Sequence, residues 1–478
     1  MFLGIDVGHS AIKAVVFDDD WNEVASAHAN TSMYVPKPGY YETSINELWA
    51  QTKKVLREIT REVNPNLIKG IGICGGANGL YPLDENLNPV GRGITILDQR
   101  AKYIIDKLKK EEKYNTLFRK LGMPVLPGAA PVVLRWLKDH EYERYQKIKH
   151  ILARKDVVRL KLTGDISTEI TDACFGLVNV RTQEYDEEIF EILGIEEMVD
   201  ALPELRPNSY DIAGFITEQA SRETGLKEGT PVVVGAHDAC CNTLGVGAVG
   251  NNIVCTGGGT WSINLLVVDK PLLNPMWSCE SFVKKGTWIL EGSSPTATIS
   301  LDWFVKSFCS DERRIAEERR ESIYKICDEE ISNVETNIIY LPFLIGLPWN
   351  YPFQSNATAG FLGIRIEDGK REFLRAIYEG VTFIHALHIE QFEKNIGVRE
   401  VRFTGGAAKS EIWCQMLADV LGKKVLTVDK EETGCFGAAL LAAIGTREIN
   451  DVQDVVKFIK IKKVYRPVSY THLTLPTN

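Results

Sequence analysis

The chain opens with short apolar runs broken by turn residues, not with a helical stripe. Residues 2–5 (FLGI) and 12–17 (IKAVVF) flank Asp6-Val7-Gly8-His9-Ser10, so the pattern predicts a β-hairpin, and residues 18–22 turn the chain toward a third strand over 23–27. Over 45–63 the apolar residues Ile45, Leu48, Leu56, Ile59 and Val63 recur at helical spacing. Ser44 and Glu47 form an S-x-x-E capping box at the start of this helix. Residues 68–74 then read as a buried strand that ends in Gly75-Gly76.

The plan recurs further along. Residues 253–255 lead into Thr256-Gly257-Gly258-Gly259-Thr260, and 261–268 return as a strand. Residues 400–403 form a strand ending in Thr404-Gly405-Gly406, with a helix following over 411–421. Two such halves read as an internal duplication, although glycine at strand ends is common in any α/β protein. Small residues over 245–250 (GVGAVG) place the boundary, giving domains 1–246 and 247–467. Residues 468–478 (VSYTHLTLPTN) break the preceding pattern and resemble a translated sequencing-adapter fragment. They are expected to be a non-native tail standing where a C-terminal helix is missing.

A length of 478 residues fits two domains rather than one core. The net charge of −9 leaves no basic surplus for phosphate backbones, which argues against nucleic-acid or anionic-membrane partners. No apolar run approaches the ~20 residues needed to span a bilayer. The ten cysteines contain no CxxC pair and are scattered among apolar neighbours, so a reducing cytoplasm is expected and structural zinc is not.

Four segments carry chemistry, and together they meet the needs of phosphoryl transfer: backbone donors for phosphates, a carboxylate near Mg²⁺ and a base beside the attacking hydroxyl. In the first hairpin turn, Gly8 lets backbone approach phosphate oxygens, Ser10 offers a hydroxyl, Lys13 a charge, and Asp6 a carboxylate for hydrated Mg²⁺. An Asp-x-Gly turn is equally at home in an ordinary hairpin. The run from Thr256 to Thr260 can form an anion-binding nest of N–H groups, with the Thr260 hydroxyl beside Gly259. In Gly235-Ala236-His237-Asp238-Ala239-Cys240-Cys241, Asp238 lies just past a strand end, where it can accept a proton from a substrate hydroxyl. It could also serve only as a helix N-cap, or join His237, Cys240 and Cys241 around a metal. Finally, Gly405-Gly406-Ala407-Ala408-Lys409-Ser410 runs into a helix and suits an adenosine pocket. No Walker-A sequence is present and no G-x-G-x-x-G follows the first strand, which counts against P-loop and Rossmann readings.

Taken in this order, the segments resemble those of the FGGY carbohydrate kinases over about residues 2–467. The first phosphate motif is matched by Asp6-Val7-Gly8-His9-Ser10 with Lys13, the second by the segment around Gly259 and Thr260, the base segment by Gly235 to Asp238, and the adenosine motif by Gly405, Gly406, Ala407 and Ser410. Ala359-Gly360-Phe361-Leu362-Gly363-Ile364 and the EFLRAIYEG stretch over 372–380 fit the family's C-terminal signature. The resemblance implies an α/β fold of two ribonuclease-H-like domains of the actin/hexokinase superfold flanking a central cleft, with sugar held mainly by the first and ATP mainly by the second. It implies Asp238 as general base, Asp6 near Mg²⁺ through water, and a small ketose or polyol as substrate, most of all a ketopentose such as xylulose. Stretches over 131–141, 293–304 and 432–440 are similar to the L-xylulose kinases. Ala77, Asn78 and Asp98 fall where the family contacts sugar, but Ala77-Asn78 replaces the Met-His of xylulokinases and His9 replaces a usual Thr. Tetritol- or glycerol-type polyol kinases, a non-catalytic sugar or nucleotide sensor, and homodimerisation stay open.

Overall fold

The computed structural model describes residues 1–77, 79–250, 252–346 and 357–468; the expectations for Asn78 and for 469–478 lie outside the described residues. In the first half, β1 (Phe2–Val7), β2 (Ala11–Phe17) and β3 (Glu23–Asn30) form an antiparallel meander. α1 (Ile45–Glu62) then returns the chain to β4 (Gly70–Gly75), parallel to β1. The capping box forms by half: Ser44 Oγ accepts the Glu47 N–H at 3.3 Å, while the Glu47 carboxylate turns to the Ser32 and Tyr34 hydroxyls. α2 (Arg154–Thr163), β5 (Ile212–Phe215), β6 (Pro231–Val233), β7 (Ala236–His237) and α3 (Asp238–Gly245) follow. The sheet runs β5-β6-β4-β1-β2-β3, with β7 paired to β4.

The second half contains β8 (Ile253–Gly258), β9 (Ser262–Val268), β10 (Ser278–Ser281), β11 (Trp288–Ser294), α4 (Thr298–Phe308) and the long α5 (Lys370–Asn395). β12 (Glu400–Thr404), α6 (Glu411–Leu421), β13 (Lys424–Val428), α7 (Thr433–Gly445) and β14 (Ile461–Tyr465) complete it. Its sheet order is β10-β11-β9-β8-β12-β13-β14. From β11 to β14 the pairings run antiparallel, antiparallel, parallel, parallel, antiparallel, which is the series found from β3 to β5 in the first sheet. This repeated order supports duplication over glycine chemistry alone. The parallel pairs place helices on the sheet faces and leave the carboxyl ends of β1, β4 and β7 along one edge.

α7 belongs to the second half in sequence but packs on the first sheet. A Cβ on Gly4 of β1 would lie 1.8 Å from the Cys435 carbonyl oxygen, and one on Gly72 of β4 would lie 1.7 Å from that of Ala438. The helix backbone therefore rests directly on the strands, where only glycine leaves room. α3 crosses it as closely, with Gly437 against the Cys241 carbonyl. α3 and α7 share one core with Phe17 and Cys74 of the first sheet and with Cys255, Leu265 and Ile289 of the second. Every α7 residue from Thr433 to Ile444 is buried, as an all-round apolar helix requires.

Candidate active site

β1, β4 and β7 end in register: Val7 pairs with Gly75, and Gly75 with His237. That alignment brings Asp6, near the end of β1, and Asp238, first residue of α3, to the same edge of the sheet. Asp6 also pairs in register with Lys13 across the hairpin, so the two side chains share a face. The turn between them is fixed from beneath by Arg154, wholly buried, whose guanidinium donates to the Val7 carbonyl at 3.0 Å and the Gly8 carbonyl at 2.8 Å.

A line of contacts joins this turn to the glycine turns of the second half. Lys13 Nζ bonds both oxygens of Glu432, at 2.9 and 2.7 Å. Next in the chain, the Thr433 hydroxyl bonds Asn242 Oδ1 at 2.7 Å and meets the Thr404 hydroxyl at 3.2 Å. A Cβ on Gly434 would lie 3.6 Å from Asp6 Oδ2, so the N-terminus of α7 faces that carboxylate. Gly405, at φ +85°, follows Thr404; its Cβ position is 3.0 Å from the Gly258 carbonyl, and that of Gly258 is 2.6 Å from Ala407. Gly259 has open space beside it, and its carbonyl accepts the Thr298 N–H and hydroxyl at the start of α4. Ser10 and Thr260 are exposed at their turns. A surface hollow of about 890 Å³ between residues 84–91 and 140–149 contains none of these residues.

Electrostatics separates the two aspartates. Burial, then repulsion from Asp238, raises Asp6 to about 7 despite Lys13. Its Oδ1 is buried with no hydrogen-bond partner among the described residues, which suits an oxygen reserved for a cation. For Asp238, burial works upward, but His237, whose Nε2 lies 2.8 Å from Oδ1, outweighs it and holds the carboxyl below its ordinary range. The Asp238 side chain keeps 37% of its surface open to solvent. His9 is kept neutral, first by burial and then by Arg154, at about 4. Its ring occupies the space that a Cβ on Gly76 would need.

Two of the expected contact residues are engaged by other protein groups. Asp98 is fully buried: Arg100 donates to both of its oxygens at 2.9 Å and the Tyr41 N–H donates to Oδ2 at 2.8 Å. Ala77 is itself buried. Ser410 caps α6, accepting the Trp413 N–H at 3.1 Å, so its oxygen serves the helix. The metal reading of His237, Asp238, Cys240 and Cys241 also fails: Cys240 and Cys241 are buried along α3, and no metal-competent cluster of three or more occurs among the described residues. Arg154, Glu432 and Asn242 were missed by sequence reading. Only the T-G-C-F-G stretch after Glu432 carried a signal.

The sequence profile of the FGGY family of carbohydrate kinases, N-terminal domain, matches residues 1–245, and that of its C-terminal domain matches 254–446. The chain belongs to this family. It is 34% identical over 466 residues to a probable L-xylulose kinase of Pasteurella multocida, covering 94% of this chain and 92% of the relative. It is 33% identical over 459 residues to the L-xylulose/3-keto-L-gulonate kinase of Escherichia coli, covering 93% and 88%. The crystal structure of gluconate kinase from Lactobacillus acidophilus superposes with a TM-score of 0.89 at 25% identity, covering 98% of this chain and 93% of that one. The expected fold of two actin/hexokinase-like domains and the kinase class both hold for this FGGY enzyme. Among the described residues no helix is long and apolar enough to cross a membrane.

Proposed function

We propose that this FGGY kinase transfers the γ-phosphoryl group of ATP to a primary hydroxyl of a ketopentose of the xylulose type. The observation that carries the reading is Asp238: a carboxylate at the N-terminus of α3, partly open, at the sheet edge that also carries Asp6. Relatives named for L-xylulose support the ketopentose, and a gluconate kinase of the same fold keeps sugar acids in view. Residues 1–246 supply most of the sugar side and 247–467 most of the nucleotide side, and ten buried free cysteines suit a reducing cytoplasm.

ATP phosphates lie between the turns of Gly8, His9 and Ser10 and of Gly259 and Thr260, with the adenosine against Gly405, Gly406 and Ala407. Lys13 exchanges Glu432 for a phosphate oxygen. The N-termini of α3 and α7 add their partial positive charge at the transferring group. Asp238 takes the substrate O–H proton as the new O–P bond forms and the bond to ADP breaks. Mg²⁺, where Asp6 would hold it through water, supplies charge neutralisation on the phosphates.

The test is coupled ADP release with D- and L-ketopentoses, 3-keto-L-gulonate, gluconate, tetritols and glycerol, with Asp238→Ala as control. Ketopentose-dependent release that vanishes in the control supports the reading. ADP release that no sugar or polyol stimulates would reject it.

A further inference from the structure

The residue preceding the base is a histidine locked inside the first domain. Its backbone N–H donates to the Thr171 hydroxyl at 2.8 Å, and that hydroxyl is itself held by Glu169 at 2.7 Å. The Phe175 ring meets the imidazole edge-on at 5.2 Å. Nδ1 is buried with no hydrogen-bond partner among the described residues, so the ring has one anchored nitrogen: Nε2, 2.8 Å from Asp238 Oδ1.

We propose that His237 is the positioning residue of the base, gripping one oxygen of Asp238 from within the domain so that the other oxygen alone faces the substrate hydroxyl. This inference rests on the kinase reading above and adds a residue to it. Acids surround the ring from every element packed there: Asp238 on α3, Asp172 on the short helix Ile170–Ala173, Glu280 on β10 and Glu291 on β11, with His9 near Asp238 from the β1–β2 turn. Burial alone would discharge such a ring. Asp238, through charge and hydrogen bond, then Glu280 and Asp172, reverse this and raise it to about 10. The ring is thereby biased toward its protonated form beside the Asp238 carboxylate. When substrate excludes water from the site, the fixed positive charge keeps Asp238 ionised and able to accept the proton. Burial holds the Glu280 and Glu291 carboxyls, which come from the second domain, above their ordinary range, so Asp238 is the main counter-charge to the ring.

The experiment has two arms. In the first, wild-type enzyme carrying ¹³C-labelled histidine is titrated by NMR without any sugar. Of its eight histidines, one is expected to stay protonated above about pH 8, and in Asp238→Asn that resonance titrates more than about one pH unit lower. In the second, His237→Gln and His237→Phe are assayed for kcat against pH. The acid limb is expected to move up by about one to two pH units, with kcat falling roughly 10- to 100-fold and KM for ATP unchanged. A role in packing alone would leave the acid limb in place. If the variants do not fold, the first arm decides. Absence of a histidine protonated above about pH 8, or variant profiles that superimpose on the wild type, overturns the proposal. An active kinase with such results rejects only the His237 role, whereas lack of sugar-dependent ADP release rejects the kinase reading and leaves the titration interpretable.

Discussion

Gly72→Ala tests the claim that α7 rests on the first sheet by direct backbone contact. The new methyl would sit 1.7 Å from the Ala438 carbonyl oxygen and 2.4 Å from its carbon. An ordinary contact starts at 3.4 Å, so the helix or the strand must retreat by about 1.7 Å. Neither retreats easily. β4 is paired with β1 on one side and with β6 and β7 on the other, and α7 is buried on all sides. The obstacle is backbone, which has no rotamer to change, so the cost lies at the upper end of overpacking, about 3 kcal/mol. At about 2–4 °C per kcal/mol for domains of this size, thermal unfolding should fall by roughly 6–12 °C. Gly250→Ala, whose methyl would meet only Ile253, at 3.6 Å, among the described residues, is the control and should stay within about 0.5 kcal/mol of the parent. The assay is melting followed by circular dichroism and dye binding at one protein concentration. Gly72→Ala melting within about 2 °C of the wild type would refute the direct helix-on-strand contact.

Asp238→Asn keeps the size of the base and removes its basicity; kcat should fall about 10²- to 10⁴-fold with little change in KM for ATP, read by coupled ADP release. Lys13→Met should raise KM for ATP about tenfold or more by removing a charged phosphate donor. Its exposed pairing with Glu432 means stability should change by less than about 1 kcal/mol, measured by urea unfolding. His388 on α5 is held neutral by burial, at about 4 against an ordinary 6.5. The unfolded chain therefore takes up a proton first as pH falls, so this residue's contribution to stability is complete above 6.5 and is lost on the way down through 4. His388→Gln should accordingly show a smaller drop in melting temperature between about pH 7 and pH 5, and an unchanged drop would contradict the neutral burial.

The strands β1 to β4, β8, β9 and β12 and the helices α1 and α6 were readable from periodicity and turn residues, because hairpins, glycine ends and helix caps are decided within a few neighbouring positions. The pairing of β1 with β2 and the placement of Asp238 at the head of α3 are of this kind. So was the clustering of glycine turns, since a run such as Gly257-Gly258-Gly259 weakens a hairpin unless backbone must approach something closely. What was not readable was also physical. Asp98 and Ser410 are polar residues near the right motifs, and their partners here, the Arg100 guanidinium and the first turn of α6, follow from the fold.

Taken alone, the order of residues determined many of the local elements and the family, and it singled out Asp238 as the candidate proton acceptor. Only the tertiary structure decided that a helix from the end of the chain lies on strands from its beginning, that Lys13 meets Glu432, and that His237 is buried near Asp172 and Glu280. Each depends on groups far apart in sequence: Gly72 with Ala438, a hairpin with a helix start, and an imidazole with acids from both halves. Close backbone approach and buried charge are properties of such assembled surroundings, and no stretch of neighbouring residues can specify them.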